Sequence, residues 1–168
     1  VKTASLLLAE GINETSLFAQ AFPEYGPERT GSPIEAYNRI SEKEILAHYP
    51  LLEPNIVVIA DLQLPAEVYQ KKTTKKTIFL FPAEKSSVKN RTIKTNIKSF
   101  AQKHKIRFLN MGLVGAVVGI LEKKFKLPAS PILAGIKKRI DRKFPPRLAK
   151  LNFEFVQAGY KETKKIKE

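Results

Sequence analysis

The chain has 168 residues, 43% hydrophobic and 27% charged, which suits one globular domain and excludes wholesale disorder. It has no cysteine and two histidines, which excludes disulfides, thiolate metal sites, a cysteine nucleophile, iron–sulfur ligation by this chain alone and a multi-histidine metal centre. The net charge of +14 is unevenly split: residues 1–70 carry four basic and ten acidic groups (−6) and residues 71–168 carry 26 and six (+20), so the two ends present opposite fields to partners.

Thr3–Glu10 reads as a helix stopped by Gly11. It opens at Val1 with no lead-in, so residue 1 is read as an interior position of a longer chain. Ser16–Phe22 is short and apolar, an expected strand. Pro23–Pro33 packs three prolines and two glycines into eleven residues and must be a loop. Glu35–Ile40 alternates as a half-buried strand does, with Ile34, Ala36, Asn38 and Ile40 on one face and Glu35, Tyr37 and Arg39 on the other. Ile45–Tyr49 is expected to pair back on it as a hairpin, which puts His48 in an edge strand. Asn55–Ala60 is a β-branched run ending at Asp61, apolar on both faces, as in the middle of a helix-covered parallel sheet. Thr77–Phe81 is a second such strand.

Ile93, Ile97, Phe100 and Ala101 follow helical spacing. Ile106–Leu109 reads as a third short strand, and the rest as helical. Met111–Phe125 forms one helix. Ser130 as N-cap before Pro131 starts another, running to about Phe144. Pro145 and Pro146 break it, and a last helix runs from Arg147 to about Tyr160, with 161–168 as a frayed basic tail. The expected fold class is α/β, a mostly parallel sheet flanked by helices, with an antiparallel hairpin and a helical C-terminal region, in a single domain over 1–168. The longest apolar run, Met111–Leu121, is too short to span a bilayer, no signal-peptide pattern is present, and the lack of cysteine fits the cytoplasm.

No Walker loop, nucleophile elbow, His–Glu metal motif or complete dinucleotide fingerprint occurs, so an independent active site is not expected. The loop Pro23–Pro33 stands out. Its glycines let backbone approach a ligand, its prolines stiffen it, and Glu24, Glu28 and Arg29 set charges on that frame. Arg29 either grips a phosphate or carboxylate bidentately or pairs with a nearby Glu. Asp61 stands where α/β proteins place ligand-binding side chains, but a turn cap is the plainer reading. Asn110 either binds a ligand or fastens the N-terminus of its helix. The glycines of Met111–Gly115 point to close helix packing rather than a phosphate cradle. The basic residues from Lys123 onward would suit phosphates, yet they spread over several faces without an aromatic platform, which argues against a nucleic-acid partner.

Three strings carry a resemblance: Thr3–Glu10, Ala19–Pro33 (Ala-Gln-Ala-Phe-Pro-Glu-Tyr-Gly-Pro-Glu-Arg-Thr-Gly-Ser-Pro) and Glu35–Ser41. With Asn110–Ala116 and Arg142–Pro145 further on, the chain resembles the gamma subunit of pyruvate:ferredoxin oxidoreductase, within the 2-oxoacid:ferredoxin oxidoreductases. The resemblance implies a non-catalytic subunit of a complex that decarboxylates a 2-oxoacid on thiamine diphosphate with magnesium. Electrons pass through iron–sulfur clusters to ferredoxin, and the acyl group goes to coenzyme A. Alpha, beta and delta subunits and ferredoxin are the implied partners, and this chain alone holds no cofactor. The resemblance further implies a first strand and a Gly-Gly-Gln-Gly loop ahead of Val1. It makes Glu24, Tyr25, Gly26, Glu28, Arg29, Gly31 and Asn110 the candidates for facing coenzyme A or a neighbouring subunit. The loop string fits pyruvate and branched-chain members, while Thr30 and Ser32 depart from the family's pattern.

Overall fold

The structure is a computed structural model and describes residues 1–24, 34–47, 49, 51–61, 63–64, 69–71, 73–82 and 88–165. Its first helix, α1 (Lys2–Asn13), runs through Gly11 rather than stopping there. The glycine is needed for a crossing, not a turn: a Cβ on it would lie 2.5 Å from Ile136 Cγ1. The helix gives way to β1 (Phe18–Glu24) through Asn13, whose amide donates to the Ala19 carbonyl at 3.0 Å and accepts from the Ala19 N–H at 2.6 Å. β1 pairs antiparallel with β2 (Glu35–Ser41), so the hairpin joins these two strands and Ile45–Tyr49 is not its second strand. Between Ser41 and Ile56 the described residues form neither helix nor strand. His48, expected in an edge strand, lies outside the described residues.

The parallel sheet has the order β3 (Ile56–Val58), β4 (Ile78–Phe81), β5 (Arg91–Lys94) and is separate from the hairpin sheet. The centre belongs to β4, not to the Ile56 run, which forms an edge of the described sheet with Val58 exposed. Alternation along β4 serves two cores: Ile78 and Leu80 join the main helical core, and Phe79 and Phe81 pack on the far side with Ile59. The buried hydroxyl of Thr77 donates to the Pro54 carbonyl at 2.7 Å, so no polar group is stranded there. Ile93 stands in β5, a strand the helical spacing concealed; the helix proper is α2 (Ile97–Lys103). Residues 106–109 are not a strand but the approach to the next helix.

Three helices complete the fold: α3 (Asn110–Phe125), α4 (Ala129–Lys143) and α5 (Pro146–Lys164). Ser130 is not the N-cap of α4. Pro128 is, and Pro131 falls within the first turn, where the missing N–H breaks no intrahelical bond. α5 runs past Tyr160 to Lys164 because Thr163 is buried and its hydroxyl bonds the Tyr160 carbonyl at 3.0 Å, so the basic tail is helical at its start. α1 packs on the hairpin sheet and on α4, and α3 packs on α5 along most of its length. No helix among the described residues is long and apolar enough to cross a membrane.

Candidate functional site

The loop singled out in the sequence is the connection of the β1–β2 hairpin. Of its candidate residues, Tyr25, Gly26, Glu28, Arg29 and Gly31 lie outside the described residues, while Glu24 and Asn110 are described. The loop is rooted where Glu24 and Glu35 face one another directly across the ladder. One face of the hairpin is a row of three cross-strand pairs, Gln20–Arg39, Phe22–Tyr37 and Glu24–Glu35. The other face lies toward α1, where the Asn38 amide donates to the Ser5 carbonyl at 2.9 Å and Ala19 and Ile40 meet the core.

Two like charges directly opposite would repel, and Tyr37 offsets this. Its hydroxyl lies 2.7 Å from Glu24 Oε2 and 2.5 Å from Glu35 Oε2, so one proton is divided between two carboxylates. Its ring stacks on Phe22 at 5.3 Å. Burial, then the hydrogen bonds and charges of Glu35 and Glu24, push the Tyr37 hydroxyl far above the ordinary tyrosine range, so it stays a donor. Tyr69 is also raised, by burial first and by the charge of Glu35 second.

Arg39 completes the frame. Its guanidinium donates to Gln20 Oε1 at 3.1 Å, to the Ala47 carbonyl at 3.3 Å and to the Tyr49 carbonyl. It lies 5.1 Å from the Phe22 ring centre and 4.8 Å from that of Tyr49. Tyr37 and Arg39 were not among the sequence-derived candidates. The signal was the shared strand face of Glu35, Tyr37 and Arg39; the missing knowledge was the register that sets Glu24 and Phe22 against them.

Replacing Tyr37 with phenylalanine removes the donor and leaves the carboxylates opposed. We expect a loss of about 1 kcal/mol in unfolding free energy at neutral pH. The folded-state value of Tyr37 is raised, so its contribution is full below pH 10, the ordinary value, and declines as the unfolded chain ionises above it. Denaturant titrations at stepped pH should therefore show the gap between wild type and Y37F narrowing above pH 10. A constant gap would refute the cluster.

Asn110 stands at the first residue of α3, half-buried. Leu109 is the N-cap and no side chain caps this end, so the amide does not fasten the helix. Among the described residues no hydrogen bond or ion pair joins Asn110 to Glu24. Asp61 is a turn cap, accepting the Gln63 N–H at 2.9 Å. An open groove of about 470 Å³ between α4 and α5 is lined by Lys137, Asp141, Lys150, Phe153 and Glu154, among others, and by none of the candidates.

A small parallel sheet under helices, with an antiparallel hairpin whose strands are tied by cross-strand side-chain pairs, defines an α/β domain. The pyruvate ferredoxin/flavodoxin oxidoreductase family matches residues 1–162, and the chain belongs to it. The pyruvate synthase subunit PorC of Thermotoga maritima is 30% identical over 172 residues, covering 97% of this chain and 88% of that one. The crystal structure of pyruvate oxidoreductase subunit PORC from Thermotoga maritima superposes with a TM-score of 0.73 over 96% of this chain and 88% of that chain. The keto/oxoacid ferredoxin oxidoreductase gamma subunit of Geobacter sulfurreducens, at 17% identity, shares the fold with a TM-score of 0.72 over 96% of this chain and 90% of its own. A Pyrococcus abyssi protein described as the common gamma subunit of pyruvate/ketoisovalerate oxidoreductases is 42% identical over 62 residues, 37% of this chain and 34% of that one.

Proposed function

We infer that this chain is the gamma subunit of a pyruvate:ferredoxin oxidoreductase, a part of the enzyme that is not catalytic alone. The observation that carries the reading is the family match over residues 1–162, joined to 30% identity with the Thermotoga maritima subunit across 97% of the chain. Without cysteine the chain ligates no iron–sulfur cluster itself. On this reading the clusters, thiamine diphosphate and magnesium are held by the alpha, beta and delta subunits, and ferredoxin takes the electrons.

The contribution of this chain is the loop and its frame. Coenzyme A, when bound, accepts the acyl group through its thiol. Glu24 and Glu35 at the base of the loop are both engaged by Tyr37, and two carboxylates do not suit a phosphate. A phosphate contact would call on Arg29, whose guanidinium is the residue type suited to it, and Glu24 acts as a root of the loop. A second reading, service to a branched-chain 2-oxoacid enzyme, is favoured by the name of the Pyrococcus abyssi relative, which couples pyruvate with ketoisovalerate.

Anaerobic purification of the tagged chain from its source cell tests both. Co-purifying subunits with iron and thiamine diphosphate, and coenzyme A-dependent dye reduction with pyruvate, are expected. Reduction with 2-oxoisovalerate instead would install the second reading, and a lone inactive chain would end both. In the holoenzyme, Arg29→Ala is expected to raise KM for coenzyme A roughly ten- to hundredfold, the loss of one charge-assisted contact. The KM for the oxoacid should not move; equal changes in both would assign Arg29 to the loop's structure instead.

A further inference from the structure

Leu46, Tyr49 and Leu52 are 77%, 62% and 76% exposed, and these two leucines are the most exposed large apolar side chains among the described residues. They fall within seven residues of one another in sequence, and the described residues of that stretch form neither helix nor strand. Scattered apolar residues on a surface are ordinary, but a cluster is not. This one is also held in place. Arg39 donates to the carbonyls of Ala47 and Tyr49 and is sandwiched between the rings of Phe22 and Tyr49, which fastens the segment to the hairpin. A segment needed only to cross the surface would need neither the anchor nor the leucines.

The rim adds a sign. Glu42, Glu44 and Glu53 flank these residues in sequence and are exposed, with Lys43 as the one basic neighbour in 42–54, and none of the three carboxylates has an ion-pair partner among the described residues. By contrast, Glu10 and Glu14 in the same acidic half are taken by Arg139 and Lys138. Apolar anchors inside an unpaired acidic rim are complementary to an apolar pocket ringed by lysine or arginine.

We propose that Leu46, Tyr49 and Leu52, positioned by Arg39, form the central contact of this chain with another subunit of the oxidoreductase, one that presents an apolar pocket with a basic rim. The proposal rests on the gamma-subunit reading above and names the surface that reading leaves open. Three side chains do not fill a standard interface of about 1,600 Å², so they act as its anchors, with the glutamates steering approach.

The test uses the assembled enzyme. Tagged wild type, Leu46→Glu and Leu52→Glu are each co-expressed anaerobically with the partner subunits, and the recovered subunits are quantified. Melting of each chain alone checks folding, which should hold because both leucines are exposed. Assembly should fall at least tenfold in either variant with melting unchanged. Reversing the rim with Glu42→Lys and Glu44→Lys should slow association and weaken its salt dependence. Wild-type recovery of Leu52→Glu complexes would overturn the proposal while leaving the gamma-subunit reading intact. Failure of the wild type itself to assemble would overturn both. Faster association of the reversed rim would mean an acidic partner, and a wild-type homodimer abolished by Leu52→Glu would give the face to a second copy; either overturns the proposal.

Discussion

Alanine at Gly159 is expected to lower the stability of this protein by about 3 kcal/mol or more, a melting shift of roughly 6–12 °C for a domain of this size. The reason is the crossing of α3 and α5. A Cβ on Gly159 would lie 1.8 Å from the Gly112 carbonyl oxygen, and one on Gly115 would lie 1.8 Å from the Val156 carbonyl oxygen. Each distance is about half of an ordinary 3.4–4 Å contact, and the obstructing atoms are backbone, which has no rotamer to change. The helices would have to part, and Ala116, Phe155 and Val156, all buried, would lose neighbours together. Gly119→Ala is expected to cost less, because its nearest obstruction is the Thr163 hydroxyl on a side chain that can rotate. Gln157→Ala, exposed on α5, should fall within about 0.5 kcal/mol of wild type. Thermal melts of the four proteins would give this order, and a G159A chain melting like wild type would mean that α3 and α5 do not cross at these glycines.

That crossing was partly legible in the sequence: Met111–Gly115 reads as glycines placed for helix contact. So were α3, α4, α5 and β4, because long apolar periodicity and proline punctuation are local signals. What failed was pairing. The alternation of Glu35–Ile40 announces a strand and even its two faces, but not that its partner is Phe18–Glu24, because partnership is set at long sequence separation. For the same reason the apolar run at Ile56 suggested a central strand, although it forms an edge of the described sheet. β5 is four residues long, and Ile93 and Ile97 happen to sit at helical spacing across a strand-to-helix boundary.

The candidate site divides the same way. Glu24 was legible as one end of a proline- and glycine-punctuated loop. Tyr37 and Arg39 look like ordinary exposed-face residues until the register Phe22↔Tyr37 and Gln20↔Arg39 is known. Only then does a phenol between two carboxylates, and a guanidinium between two rings, become a frame that roots a loop and fixes a neighbouring segment. Asn110 was expected to end a strand, but residues 106–109 form none and it stands at the first residue of α3, a helix end set by packing that the sequence does not display.

Phe155 does that packing, and it carries the second large effect. Its side chain is fully buried and its ring stacks on Phe100 at 5.0 Å, while its edge lies against Gly112, where a Cβ would come within 2.6 Å of Cε2. Phe155→Ala is expected to cost about 3–5 kcal/mol, much of the 5–15 kcal/mol that holds a domain folded. Gly112→Ala alone should cost about 1–3 kcal/mol, because the added methyl meets the ring in a filled space. Together the two should cost less than their sum by at least about 1 kcal/mol, since the methyl then enters the room the ring has left. Denaturant unfolding of the four proteins closes this cycle. Strict additivity would mean that the ring does not touch the first turn of α3. Coupling would mean that Phe155 sets the entry of that helix, and with it the place of Asn110 two residues earlier.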